Sequence, residues 1–389
     1  MTAYNTTDLN NKLVNENADE AFYYGLIDAG TCTTITTTHP VRLYTPNYFI
    51  RIGLGFLATT ACLFSGLLFW MLFGISNVDA IESFLFFLSA ACYITLELFV
   101  TSKKYYNAGI DNILLFAVVS FLFGGCTLQD VNSNYIMSTG LCFIACLWMS
   151  YRFVDAFAGV LAYVFFFLFI YFDFTHFFAA SQTAAPLLMM AVSAAAYFLV
   201  KKISIQQKWM PYTYCADCII LLTLATFYIS GNYYIVREGT GNLFFGIRGE
   251  ETNTAPLFSW LFWIFTICTP VAYLAYGINA RSLLFIRTGI LALAATILTI
   301  RYYHTVIPAD VALMLAGAIL IVISYLLIKY LRTQKRGYAF DAPTYNDKNT
   351  PDAEALIIAQ AFGHKHSVPE RGVEFGGGSS GGGGATGSF

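Results

Sequence analysis

Charge is what this chain has least of: Asp, Glu, Lys and Arg make up 11% of its 389 residues, against about 25% in a soluble domain. An ordinary soluble enzyme is excluded by what replaces it. With 57% hydrophobic and 17% aromatic residues and a mean hydropathy of +0.62, the apolar surface exceeds what one water-soluble globule of this size can hide, so lipid must be the solvent. A global basic field is also missing. The net charge of −2 and a pI near 6.2 leave nothing to hold a polyanion, and nucleic acid drops out as a partner.

Other absences narrow the class further. No cleavable signal peptide is visible: the first 47 residues are polar, lack a basic start and lead into a hydrophobic run at 48–75 that is too long for a cleaved segment. That run is expected to act as an uncleaved anchor. The nine cysteines lie mostly inside apolar runs, away from the polar loops of a secreted disulfide framework, and read as small, buried, reduced side chains. There is no Ser/His/Asp arrangement, no His-Glu-x-x-His and no phosphate loop, so the chain leans away from an enzyme and names no cofactor.

What is present is a series of long apolar segments. A helix crossing a hydrocarbon core of about 30 Å needs about 20 mostly apolar residues. Cutting the chain where charge or turn residues interrupt such runs gives ten spans: 48–75, 81–100, 112–128, 134–150, 154–172, 183–200, 213–236, 256–277, 283–300 and 310–331. The expected fold is therefore all-α, a polytopic transmembrane helical bundle over 48–331. The basic residues test the count independently, because cytoplasmic segments are enriched in Lys and Arg. With the N-terminus inside, the split is 18 inner to 3 outer, the outer ones being Arg237, Arg248 and Arg301. An even span count then puts both termini in the cytoplasm.

The polar segments are short. Residues 1–47 form a cytoplasmic arm in which 6–30 are expected to give one amphipathic helix and the Thr-rich stretch 31–38 an extended strand-like segment. The longest outer loop, 237–255, carries glycines at 239, 241 and 246 that do not match dinucleotide-binding spacing and read as a flexible turn. A cytoplasmic tail follows over 332–374. Within it, Thr350-Pro351-Asp352 supplies a cap, a Pro for the first helical position and an acid for the positive helix end, so a short helix is expected over 351–362. Its Leu356, Ile357, Ile358 and Phe362 are partner-binding candidates, because so short a helix is marginal alone in water. The end, 375–389, is Gly/Ser-rich, bounded by Phe375 and Phe389, and unable to form a core. Those two aromatics complete the partner-binding set.

Ionisable groups in a membrane chain deserve individual inspection. Glu97, Asp111, Asp155, Asp217 and Arg287 map near the inner boundary, where they can snorkel or pair with Arg152, Lys103 and Lys104. On the outer side Asp173 and His176 are spaced i, i+3, and His304 and Asp310 flank the ninth-to-tenth turn. These four are the weak metal-ligand candidates, with ordinary interfacial polar caps as the stronger reading. Cys215-x-x-Cys218 lacks a second Cys or His pair at zinc spacing and reads as core.

Two stretches carry resemblances. Residues 301–332, with a Tyr-Tyr pair before a Gly-containing helix and a basic stop, resemble the last span of bacterial polytopic membrane proteins grouped as domains of unknown function. Phe375, the glycines of 376–378 and 381–384, and Phe389 resemble the C-terminal tails of bacterial TPM-domain membrane proteins, which occur beside LemA-family proteins. The TPM domain itself is absent. These resemblances imply a bacterial inner-membrane location and a tail partner, in the LemA or TPM-domain families. Two functions are expected to compete: a membrane scaffold or accessory subunit with a partner-binding tail, and a secondary transporter built from two inverted five-helix halves.

Overall fold

The computed structural model describes residues 2–23, 25–74, 77–128, 135–177, 184–238 and 258–303, with seven isolated positions between 314 and 329. Among the described residues the structure is an all-α polytopic bundle with nine helices long and apolar enough to cross a membrane. The arm contributes α1 (Thr6–Tyr23) and α2 (Ala29–Thr38), and the spans follow: α3 (Tyr48–Phe73), α4 (Val78–Lys103), α5 (Ile110–Leu128), α6 (Tyr135–Phe153), α7 (Ala156–Phe177) and α8 (Ala184–Ser204). A 3₁₀ turn, Gln207–Tyr212, leads into α9 (Thr213–Gly231), then the short α10 (Tyr233–Glu238), α11 (Ser259–Ala280) and α12 (Leu283–Tyr303). The tenth expected span, 310–331, lies mostly outside the described residues; its seven described positions, from Met314 to Lys329, are helical.

Short connections force consecutive spans into antiparallel pairs, the tightest being α4 with α5, α6 with α7, α8 with α9 and α11 with α12. Two cores result. One joins Leu96 and Val100 of α4, Leu115 and Val119 of α5, Cys142, Cys146 and Met149 of α6 and Ala158 and Ala162 of α7. The other gathers Ile220, Leu224 and Tyr228 of α9 with Tyr273 of α11 and Ala292 of α12. Helices α7 and α9 form the seam between them. Gly159 permits that approach, since a Cβ there would sit 2.3 Å from Cys215 Sγ and 3.0 Å from Ser150 Oγ.

Helix α3 is peripheral: only 6% of its apolar window is buried, and Phe56, Phe64, Leu67 and Met71 face outward, as lipid contact requires. It touches the bundle through α5 and, by the Phe69–Phe87 and Trp70–Phe84 ring pairs, through α4, and its first turn packs on Gly109, which has φ +96° and no room for a Cβ beside Arg51 O at 2.1 Å.

The arm folds under one end of the bundle, here called the arm face. Ala3 N donates to Arg152 O at 2.8 Å, and Tyr4 Oη to Tyr105 O at 2.8 Å. The segment after α2 returns extended, and a single parallel bridge joins Tyr44 to Tyr105, with Tyr44 N to Lys104 O at 2.9 Å and Tyr106 N to Tyr44 O at 3.2 Å.

Three expectations are corrected. The single arm helix over 6–30 is divided: α1 ends at Tyr23 and α2 starts at Ala29, with Gly25 at φ +67° between them. The Thr-rich stretch 31–38 is helical, within α2, and its hydroxyls supply the reason: Thr34 Oγ1 donates to Gly30 O at 2.8 Å, Thr37 Oγ1 to Thr33 O at 2.9 Å and Thr38 Oγ1 to Thr34 O at 2.7 Å. Satisfied within their own helix, the threonines do not need a strand. The seventh span does not run unbroken to 236; it stops at Gly231, and α10 restarts after Asn232.

Candidate functional site

The most developed polar cluster lies inside the second core and grows from a proline. Pro270 sits within α11 and has no N–H, so the carbonyl of Thr266, four residues earlier, loses its helical partner. An unpaired carbonyl about 10 Å along the helix from its start would be costly in lipid. Thr296 Oγ1 of α12 lies 2.9 Å from it and 2.9 Å from Ala292 O of its own helix, and shares its one proton between the two carbonyls. The same hydroxyl lies 2.9 Å from Tyr228 Oη, and Asn232 Nδ2 donates to Tyr228 Oη at 2.8 Å. Because Thr296 has one proton and directs it at these carbonyls, Tyr228 must donate to Thr296. The order is therefore Asn232 to Tyr228 to Thr296 to the Thr266 carbonyl.

Asn232 serves the helix break in turn. Its Oδ1 accepts from Tyr234 N at 2.9 Å, capping α10, and from Thr299 Oγ1 at 3.2 Å. Tyr233 N, also released by the break, donates to Thr266 Oγ1 at 2.9 Å. The network thus ties two backbone interruptions together, and Asn232, Tyr228, Thr266, Thr296 and Thr299 are all buried. Above it, Tyr233 stacks on Trp263 at 4.7 Å, Tyr303 meets Tyr233 edge-on at 5.1 Å, and Arg237 lies 5.1 Å from the Tyr303 ring. Tyr233 and the Tyr303 ring also hold the Arg237 guanidinium's pKa above its ordinary value, through the Tyr233 hydroxyl first.

A second cluster lies at the arm face. Asp155 caps α7, its Oδ1 accepting from Ala158 N at 2.8 Å, and Asp111 Oδ1 accepts from Ala108 N at 2.9 Å at the start of α5. Both line a cavity of about 10 Å³ with Tyr4, Tyr106 and Asn107, a space for about one water. Burial raises the Asp155 pKa above the ordinary carboxylate range, and the nearby Asp111 charge adds to it, against the pull of the Ala158 N–H. Burial, then the charges of Glu16, Asp155 and Asp111, push Tyr106 up to about 12, and Tyr4 also rises, through burial first and Asp111 next. Glu97 of α4 and Arg152 of α6 form a salt bridge beside them.

The residues singled out from sequence fare unequally. Glu97 and Arg152 come together as expected, and Asp111 and Asp155 share one cavity. Asp173 lies partly buried on α7, while the His176 side chain, His304 and Asp310 fall outside the described residues, and so does any grouping of the four metal candidates. Among the described residues no group of three or more His, Cys, Asp or Glu is placed to hold a metal. Leu356, Ile357, Ile358, Phe362, Phe375 and Phe389 also lie outside the described residues. Cys215 is buried, 3.7 Å from Ser150 Oγ, Cys218 is half-buried, and both carry free thiols.

Sequence reasoning missed the Asn232 network. A signal was present: Pro270 announces an orphan carbonyl at Thr266, and Ser230-Gly231-Asn232 announces a break. Which side chain answers each orphan depends on contacts 30 or more residues away, as between Thr296 and Thr266. Comparisons of the chain with protein-family models, curated proteins and solved structures returned no match.

Proposed function

We propose that this integral membrane protein is a membrane scaffold or accessory subunit of the bacterial inner membrane, with a cytoplasmic tail that a partner reads. One observation carries the reading: the buried polar groups of the second core are occupied with one another and with two backbone interruptions. Such a network stabilises a shape and offers no free ligand group to a passing solute. The basic residues Lys103, Lys104, Arg152, Lys201, Lys202 and Arg281 at the arm face support a cytoplasmic arm under the positive-inside rule. Leu356, Ile357, Ile358 and Phe362, with Phe375 and Phe389, are the proposed partner contacts, and a LemA-family or TPM-domain protein is the proposed partner. Affinity purification in mild detergent, with and without residues 351–389, tests this. The full chain is expected to recover a specific protein that the truncated chain loses; identical recovery removes the tail role.

A second reading, a secondary transporter, has one observation in its favour: the α9–α10 break faces Pro270 of α11, and interrupted helices build transporter sites. Solvent access separates the two. A Cys at Ser230, in a chain whose native cysteines are replaced, should resist membrane-impermeant thiol reagents from both sides in a scaffold and react from either side in turn in a transporter.

A further inference from the structure

Where the arm meets the bundle, a groove of about 430 Å³ opens between the first turn of α1 and the 3₁₀ turn Gln207–Tyr212. Three rings form its floor. Tyr151 and Tyr212 lie nearly parallel at 6.2 Å, with an interplanar angle of 6°, and Trp209 meets Tyr212 at 5.4 Å. The Tyr212 hydroxyl donates to Tyr151 O at 2.7 Å and fixes the arrangement. Asn5 and Thr6 of the arm supply polar atoms on the opposite wall.

Lys208 lines the groove, is exposed, and holds its ammonium 5.6 Å from the Trp209 ring. Among the described residues no carboxylate lies within ion-pair distance of it. The nearest acid along α1, Asp8, is buried and is not part of the lining. The groove therefore joins one unmatched positive charge to a broad aromatic surface.

Its position selects among anions. The 3₁₀ turn runs directly into the span ending at Gly231, and Ile205 and Tyr214 beside it are 78% and 75% exposed, as lipid-facing side chains are. Trp and Tyr at this level belong to the headgroup zone, where an apolar ring body and a polar edge are both satisfied. A free phosphate would use the ammonium and leave the rings bare, whereas a phospholipid uses both.

We propose that this groove binds the headgroup of one anionic phospholipid, with Lys208 taking the phosphate and Tyr151, Trp209 and Tyr212 covering the glycerol, so that the lipid bridges arm and bundle. The inference stands apart from the scaffold reading and holds whether or not the tail recruits a partner. The test is native mass spectrometry of the full chain titrated in detergent with phosphatidylglycerol, alongside Lys208→Gln, Lys208→Arg and Lys202→Gln. Lys208→Gln is expected to weaken retention of one lipid about fivefold, the scale of one Lys near an anionic surface. Lys208→Arg and Lys202→Gln should retain it, the second because Lys202 is exposed but outside the groove. Equal loss in Lys202→Gln would mean diffuse surface attraction and overturn the site. So would undiminished retention in Lys208→Gln, or displacement of the lipid by inorganic phosphate as readily as by short-chain phosphatidylglycerol.

Discussion

The α4–α7 half and the α8–α12 half bury apolar surface in the same way but keep their polar groups at different depths. In the first half the buried or paired charges lie at the arm face, where Glu97 meets Arg152, Asp155 caps α7 and Asp111 of α5 reaches back to Ala108 N, while Asp79, Glu82 and Asp173 lie toward the opposite end. Deeper in, its hydroxyls make separate contacts, such as Ser89 Oγ to Val118 O at 2.9 Å and Thr95 Oγ1 to its own Ala91 O at 2.8 Å. In the second half five buried residues form one connected network. Backbone continuity explains the difference. Helices α4 to α7 contain no internal proline, whereas Pro270 and the Gly231–Asn232 break release carbonyl and amide groups that only side chains can satisfy.

The contrast can be broken by removing the groups on which it rests. Asn232→Leu should cost most, about 3 kcal/mol in detergent unfolding, because it strands the Tyr234 N–H and takes one hydrogen bond each from the Tyr228 and Thr299 hydroxyls, which keep Thr296 and Ala295 O as partners. Gly159→Ala should cost about 2 kcal/mol by forcing the seam between the halves apart, and Cys215→Ala in the same chain should restore much of it. Thr296→Val should cost about 1.5 kcal/mol, and the loss should shrink in a Pro270→Ala background, where α11 recovers its own bond to the Thr266 carbonyl. Additive losses in that pair would show that the proline does not create the demand.

Smaller effects sharpen the other side of the comparison. Burial raises the Asp155 pKa, so above the ordinary value of 3.8 the folded state holds a proton that the unfolded state has released. Stability contributed by this group is present at low pH and is lost as pH climbs through the raised value. Asp155→Asn keeps a capping side chain and should flatten that part of the pH profile, read by unfolding in detergent across the acid range. Thr95→Val, whose hydroxyl serves only its own helix, should stay within about 0.5 kcal/mol of wild type.

The spans were legible because lipid imposes a length and a composition on each helix: the expected 48–75, 134–150 and 283–300 appear as Tyr48–Phe73, Tyr135–Phe153 and Leu283–Tyr303. Periodicity and β-branching misread residues 31–38, since they weigh the backbone preference of threonine without the helical bonds its hydroxyl can make. Charge position foretold a pairing of Glu97 with Arg152 near the helix ends, because one residue's depth is enough to place it there. Asn232 and Thr296 carried no such local mark. Their role depends on which helix faces Pro270, and facing is a property of the assembled bundle.

The Tyr44–Tyr105 bridge has a consequence for how the protein is made. Tyr44 precedes α3 and Tyr105 follows α4, so the two bridged segments meet only when α3 and α4 have entered as a hairpin and returned the chain to the side it left. A nascent chain with one of these helices left out of the bilayer, or with the pair split across it, cannot close this contact. Because the bridge needs nothing beyond residue 106, it can form while the later spans are still being synthesised. The arm is then positioned to act as an early latch that records correct insertion of the first hairpin before α5 arrives beside it.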